Sequence, residues 1–501
     1  MMSDATAVAE QASENTAIEE GGGDFSSLLL KEFKPKNDEA QRAVEQSVST
    51  LAEFALADTR LISTDVMDTV EAMIAEIDRK LTDQINAILN CPEYRRVEGA
   101  WRGLHYLVSN TETGERLKVR VMNVSKTELY RTLKKYKGYA WDQSPLFKKL
   151  YEEEFGQFGG EPYGALVGDY YFDNSAQDVD LLTQIARICS AAHTPFISGA
   201  APAVMLLDSW RDLANPRDIS KLFQTPEHAA WRALRESEDS RYIGLTMPRF
   251  LARAPYGAKT NPVDEFAFEE DTGGGNPERY TWANAAYAMA VNINRSFAEY
   301  GWCSRIRGVE SGGAVEDLPV HVFPTDDGGV DVICPTEVAI SDRREAELSK
   351  NGFLPLVHMK NSGVAAFIGA QSLHKPAEYD DPEATANANL AARLPYLFAC
   401  CRFAHYLKCI VRDKVGSYKS KEEMQRWLHK WAMEYVDGSP KLSSDLVKAM
   451  KPLSDVAVTL EEVEGNPGYY TSKFYLKPHY QLEGLTVSLR LVSKIRAIKG
   501  K

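Results

Sequence analysis

The chain has 501 residues, 44% hydrophobic and 26% charged, enough for two or three domains with sizeable cores. A formal net charge of −13 excludes a general nucleic-acid binder, which needs a basic footprint to neutralise phosphates. No run of about 18 uncharged apolar residues occurs, so neither a spanning helix nor membrane insertion is expected.

Residues 1–30 hold six acids and no base, a pattern opposite to a secretory signal, and the cytoplasm is the expected compartment. The first 25 residues are rich in Ala, Glu, Ser and Gly and have too little apolar surface to offset their ordering entropy. Leu28, Leu29 and Leu30 close an isolated apolar patch, too short for a core and suited to docking on a neighbouring subunit. Residues 1–40 therefore form a flexible acidic arm. Helices follow over 41–56, with Val44, Val48 and Leu51 on one side, and over 64–89, where Val66, Val70, Met73, Ile74, Ile77, Leu81, Ile85 and Ile88 make one stripe. Residues 41–110 are read as partner-binding helices, with Val48 and Leu51 at the contact.

Arg95 to Leu129 ends an amphipathic helix, adds a short aromatic-rich helix, turns at Thr113-Gly114 and enters a strand over 117–124. Ser125 is placed to cap the next helix, which continues to Lys135. Strands are expected at 165–172 and 242–247, a strand or buried loop at 196–207, and helices at 176–192 and 281–300, the last capped by Thr281. Hairpins follow at 320–334 and 354–368. The fold class is α/β with mixed strands: a central domain over 111–375, then a C-terminal assembly domain over 376–501. That second domain opens with helices at 386–413 and 421–436. It closes with a three-strand antiparallel meander, in which Val456 and Val458, then Ser472 and Phe474, then Leu485, Val487 and Leu489 alternate with their neighbours. A small sheet has two unpaired edges, and the loose arm offers a strand to add to one. Val456, Val458, Leu485, Val487 and Leu489 are the interface residues this predicts, with Leu28 to Leu30 on the arm.

Chemistry is hard to find. Gly273-Gly274-Gly275 lacks the Lys-Ser/Thr of a phosphate loop and follows Glu269, Glu270 and Asp271, which repel phosphate. Ser372-Leu373-His374-Lys375 matches S-x-x-K, but Pro376 disfavours the helix that would align Ser and Lys. The nine histidines are scattered, and Asp169, Asp173, Asp178 and Asp180 lack the Gly and Glu of a calcium loop, so capping and solvation explain them. Seven cysteines without C-x-x-C spacing read as reduced core residues. No catalytic residue, metal or cofactor is expected. The competing reading is a cytoplasmic α/β enzyme that closes the loop at 269–278 over a small ligand.

The passage RRVEGAWRGLHYLVSNTETGERLKVRVMNVSKTEL closely resembles the signature of the large sheath subunit of bacterial type VI secretion systems, the TssC or VipB family. Arg253-Ala254-Pro255-Tyr256-Gly257, Tyr280-Thr281-Trp282-Ala283-Asn284-Ala285, Gly301-Trp302, Leu318-Pro319-Val320-His321 and the terminal meander extend the likeness from about residue 60 to the C-terminus. The resemblance implies a structural protein that pairs with a small sheath subunit, TssB, and stacks with its own copies around a tube of Hcp on a baseplate. It also implies that contraction drives the tube and that the ATPase ClpV dismantles the contracted sheath, in some members through the N-terminal region. Within that scheme Lys419, Lys421 and Lys430 are candidates to face the tube.

Overall fold

The computed structural model describes residues 66–214, 218–324, 328–414, 421–440, 442–462 and 470–479, with a few helical positions between 42 and 50. The described residues fall into two compact units, one of residues up to Leu89 with Tyr256–Glu270, the other of Asn90–Pro255 and Asp271 onward.

The first unit holds α1, Val66–Leu89. Its predicted stripe is largely unspent: Met73 and Leu89 are buried, while Ile74, Ile77, Leu81 and Ile88 are exposed. Arg79 pairs with Glu76 and Asp83 one turn away on either side, worth a few tenths of a kcal/mol each, about 0.2–0.5. Asn86 donates to the carbonyl of Glu269 at 3.1 Å, and Glu270 accepts from the Tyr256 amide at 2.8 Å.

The second unit begins with α2, Pro92–Ser109, then α3, Lys126–Lys135, where Ser125 accepts from the Glu128 amide at 3.2 Å as its cap. Next come β1, Leu166–Phe172; α4, Ala176–Ala192; β2, Phe196–Ala200; α5, Ala229–Glu236; and β3, Ile243–Met247. After β4 (Phe250–Leu251) and β5 (Trp282–Ala283) runs α6, Ala285–Tyr300. The rest of the central domain is β6 (Ala314–Val315), β7 (His321–Pro324), β8 (Val330–Ile333), α7 (Asp342–Lys350), β9 (Phe353–His358) and β10 (Ala365–Phe367).

Six strands form one mixed sheet in the order β1-β2-β3-β9-β10-β6. The β1 to β9 pairings are parallel, and β10 runs antiparallel to both β9 and β6. Strands that alternate between two buried faces read as apolar runs, and the cores show why. Phe196, Ile243, Leu245 and Phe353 join the α3–α4–α5 side, whereas Ile197, Leu354 and Leu356 join α6 on the other. Helices therefore cover both faces of the sheet, and β1 is left as an edge.

The C-terminal part contains α8, Pro382–Ala391; α9, Leu394–Lys414; α10, Lys421–Met433; α11, Asp445–Met450; and the antiparallel pair β11, Leu453–Glu462, with β12, Tyr470–Pro478. Its core is aromatic: Trp302 stacks on Phe403 with centroids 4.5 Å apart, and Tyr435 meets both rings edge-on.

Three expectations change. The expected 281–300 helix starts at Ala285, capped by Asn284, because Thr281 is engaged elsewhere. The single helix expected over 386–413 is two, broken at Ala392-Arg393 as Gln371 bridges to Arg393. Residues 117–124 are not a strand: the segment joins no ladder, and its Val121 is 68% exposed. The arm with Leu28, Leu29 and Leu30, the positions Val48 and Leu51, and the third meander strand with Leu485, Val487 and Leu489 lie outside the described residues.

Phe403→Ala should cost about 3–5 kcal/mol, the range for truncating a buried aromatic, because Trp302 and Tyr435 then face a void. A fall in the urea midpoint reads this; an unchanged midpoint contradicts the cluster as the core of the C-terminal part.

A candidate assembly groove

Three of the quoted motifs meet at one buried ion pair. Glu98, on α2, accepts from Arg253 Nε at 2.6 Å, and both side chains are under 9% exposed. Arg102 Nε lies 2.7 Å from the same carboxylate, and the Thr281 hydroxyl donates to it at 2.8 Å. Burial raises the Glu98 pKa, but the Arg253 hydrogen bond and charge, with Arg102 and Thr281, bring it below the ordinary 4.5. Gly99 and Gly103 allow this contact. A Cβ on Gly99 would sit 2.4 Å from the Trp282 carbonyl oxygen, and one on Gly103 would sit 2.4 Å from the Tyr287 ring.

With that glycine face turned inward, α2 presents a second apolar face. Tyr94, Val97, Trp101 and Val108 recur at steps of three, four and seven and are exposed, Trp101 at 69%. Solitary exposed apolar residues are ordinary, but a contiguous stripe is not. Val97, Trp101 and Leu104 line a cavity of about 2710 Å³, whose other walls are residues 114–127, β1, the outer side of α6, and Phe398, Arg402 and Tyr406 on α9. Small-molecule sites run to roughly 300–1,000 Å³, and this space is larger than that range.

Residues 117–124 run alongside β1 without touching it as a strand. At one end Lys118 pairs with Glu161, and Arg120 with Glu154, Glu161 and the Tyr163 hydroxyl, just before β1 begins. At the other end the Tyr170 hydroxyl donates to the Val124 carbonyl at 2.7 Å, and Lys126 Nζ donates to the Tyr171 carbonyl at 2.6 Å. Residues 117–124 and β1 therefore run in the same direction. No ladder joins them, and they face each other across the cavity. Solvated ion pairs such as those of Lys118 and Arg120 contribute about 0–1 kcal/mol, too little to replace a ladder.

β1 itself is bulged. Val167 pairs with Ile197 but Tyr171 pairs with Gly199, so Gly168, Asp169 and Tyr170 stand opposite Ser198 alone. The Ser198 hydroxyl lies 2.8 Å from the Gly168 carbonyl and 3.0 Å from that of Tyr170, and Asn284 Nδ2 donates to the latter at 3.0 Å. A bulge re-aims side chains, and here Asp169 is on the cavity wall.

The expected site residues fall elsewhere. Val456 and Val458 point into the C-terminal core with Phe403 and Leu428, which leaves the backbone of β11 and the exposed side chains of Asp455, Ala457, Thr459 and Glu461 to meet a neighbour. Lys419 lies outside the described residues; Lys421 opens α10 half-buried, and Lys430 is exposed near its end. The Gly273–Gly275 turn is spent internally: Asp271 pairs with Arg279 and accepts from the Gly273 amide, and a Cβ on Gly275 would lie 2.1 Å from the Phe323 ring. Ser372 donates to the Ala392 carbonyl at 2.5 Å. Asp178 is held by Lys126 and Asp180 by Lys137. Trp101 and Asp169 were not singled out as site residues. The signal for Trp101 was present, since α2 has apolar spacing on two faces; Asp169 depends on a bulge that no local pattern reveals.

Residues 71–374 match the VipB family, described as EvpB/VC_A0108 tail sheath N-terminal domain, and residues 383–495 match its gpW/gp25-like domain. The chain belongs to the VipB family of tail sheath proteins. The type VI secretion system sheath protein TssC1 of Pseudomonas aeruginosa PAO1 is 68% identical over 496 residues, covering 98% of this chain and 100% of the relative. More distant likenesses are to the anti-feeding prophage baseplate, 11% identical over 75% of this chain and 83% of that one with a TM-score of 0.39, and to the contracted helical sheath of the same particle, 13% identical over 78% and 86% with a TM-score of 0.33. Membership in VipB makes the chain a structural subunit of a contractile sheath, as its motifs implied, and nothing found supports the enzyme reading.

Glu98→Gln removes a buried charge that Arg253, Arg102 and Thr281 all meet and should cost about 3–5 kcal/mol, whereas Glu161→Gln on the solvated pair should cost under about 1 kcal/mol. Because the folded Glu98 pKa lies below 4.5, its contribution is complete above that pH and is lost as pH falls through the folded value. Urea midpoints between pH 7 and 3 check this: the Glu98→Gln deficit shrinks on acidification, and a constant deficit contradicts it.

Proposed function

We propose that this chain is the large subunit of a type VI secretion sheath and that it pairs with the small subunit TssB by taking a TssB strand into the groove between β1 and residues 117–124. The observation that carries the reading is a chain segment, residues 117–124, running beside the edge strand β1 with no ladder between them, both lining a cavity larger than a metabolite needs. Neighbouring strands stand about 4.8 Å apart, so one inserted strand satisfies the free groups of both segments at once. Trp101 supplies the aromatic anchor, and buried tryptophans dominate interface energetics.

The reading extends to the other expected partners. Copies of the pair stack around the Hcp tube on a baseplate, with Lys421 and Lys430 of α10 and Lys419 before it facing the tube. The exposed stripe of α1 takes part in pairing, Leu28 to Leu30 and the β11–β12 sheet link neighbouring copies by strand addition, and ClpV acts on the contracted form. Backbone pairing of this kind can persist while rigid bodies rotate about linkers. The chain performs no chemistry and works in the cytoplasm; the free energy of firing is the difference between two lattice packings.

Co-expression with the small subunit tests the pairing. The wild-type chain should retain TssB on affinity capture and form tubules in negative-stain micrographs. Trp101→Ala should lower retention at least tenfold, since truncating an interface anchor costs about 2–4 kcal/mol. Full retention by Trp101→Ala, or by a Val167→Pro, Asp169→Pro double variant, would exclude the groove as the pairing site.

A further inference from the structure

Several charges on the groove wall are answered from within the chain: Arg249 and Glu337 form a two-pronged pair at 2.9 and 2.6 Å, and Lys126 is 2.6 Å from Asp178. Asp169 and Arg402 are part-buried wall residues, one toward each end of α6, and neither has a counter-ion among the described residues. Asp169 projects from the β1 bulge beside Asn284 and Tyr287, and burial holds its carboxyl above the ordinary value more than those two side chains lower it. Arg402 stacks over Phe297 and Tyr406, at 5.5 and 4.7 Å from their centroids, and its Nε is buried without a hydrogen-bond partner. His405, one turn on and also on the wall, has a buried Nδ1 in the same state. The dipole of α6 favours both charges where they stand, an anion at its start and a cation at its end. It gives Arg402 Nε no acceptor.

We infer that Asp169 and Arg402 are the charge code that selects the inserted chain: the entering strand carries a Lys or Arg against Asp169 and, about four positions away on the same side, an Asp or Glu against Arg402. The spacing comes from α6. Tyr287 marks the Asp169 end and Phe297 the Arg402 end, ten residues apart, which is roughly 15 Å along a helix rising 1.5 Å per residue. An extended chain covers that in about four to five residues at 3.3 Å each, and an even step keeps both side chains on one face. A strand with the opposite order of charges meets like charge at both ends, which is how such a groove rejects wrong partners and wrong directions.

This inference rests on the groove being the TssB site, and its test separates the two. Asp169→Lys and Arg402→Glu are co-expressed with TssB beside wild type, Trp101→Ala and the neutral variants Asp169→Asn and Arg402→Gln. Each reversal should lower captured TssB at least tenfold and each neutral variant by less. Selection for restored pairing in TssB should return a basic-to-acidic change against Asp169→Lys and an acidic-to-basic change against Arg402→Glu. Wild-type retention by both reversals, with Trp101→Ala still defective, overturns the charge code and leaves the groove standing. Suppressors that do not change charge overturn it as well. Retention by Trp101→Ala overturns groove and code together. Where a reversal fails to give the wild-type melting transition, the neutral variants decide, and undiminished retention by both overturns the code.

Discussion

The close approach of α2 to the Trp282 carbonyl governs the rest of the groove. Two glycines one turn apart remove the atoms that would hold the helix off, and the Glu98–Arg253 pair locks it once there. Neither device is strong alone. A glycine in a helix costs about 1 kcal/mol against alanine, and a buried ion pair often does no more than offset its own desolvation. Their joint effect is positional: with one face of α2 committed to Tyr287 and Trp282, the Trp101 face has nowhere to turn but the cavity. The motif residues Glu98, Gly99, Gly103, Arg253 and Thr281 thus serve placement.

An edge strand with free amides and carbonyls is ordinarily a hazard that a protein covers or blunts. Here β1 is bulged and lines the cavity, and the segment that runs beside it is tied to its ends by solvated ion pairs and makes no ladder with it. That arrangement makes sense for a subunit completed by another chain. It also links assembly to folding, because the groups that would tempt indiscriminate pairing are those a correct partner satisfies. Two uncompensated charges in the same groove then bias which chain enters and in which direction.

Much of the fold was legible. The helix expected over 176–192 and the strand expected at 242–247 followed from periodicity and apolar runs, and the hairpin expected at 354–368 from its Asn-Ser-Gly turn; the strands lie at Ile243–Met247, Phe353–His358 and Ala365–Phe367. Ser125 capped its helix as local chemistry demands. Local rules failed where a distant group competed. Thr281 was an apt cap, but its hydroxyl is taken by Glu98, 183 positions away, so Asn284 begins the helix instead. Residues 117–124 alternate like a strand, yet a strand exists only when something pairs with it, and nothing among the described residues does.

By itself the sequence determined most of the elements, the α/β class and the family, because these depend on spacing within short windows and on motifs that recur as written. Only the tertiary structure decided where those elements leave a gap. The convergence of Glu98, Arg253 and Thr281, the bulge that turns Asp169 outward and the stacking of Arg402 on Phe297 all join residues far apart in the chain. Which backbone groups go unpaired is a property of the whole packing, and no local pattern carries it.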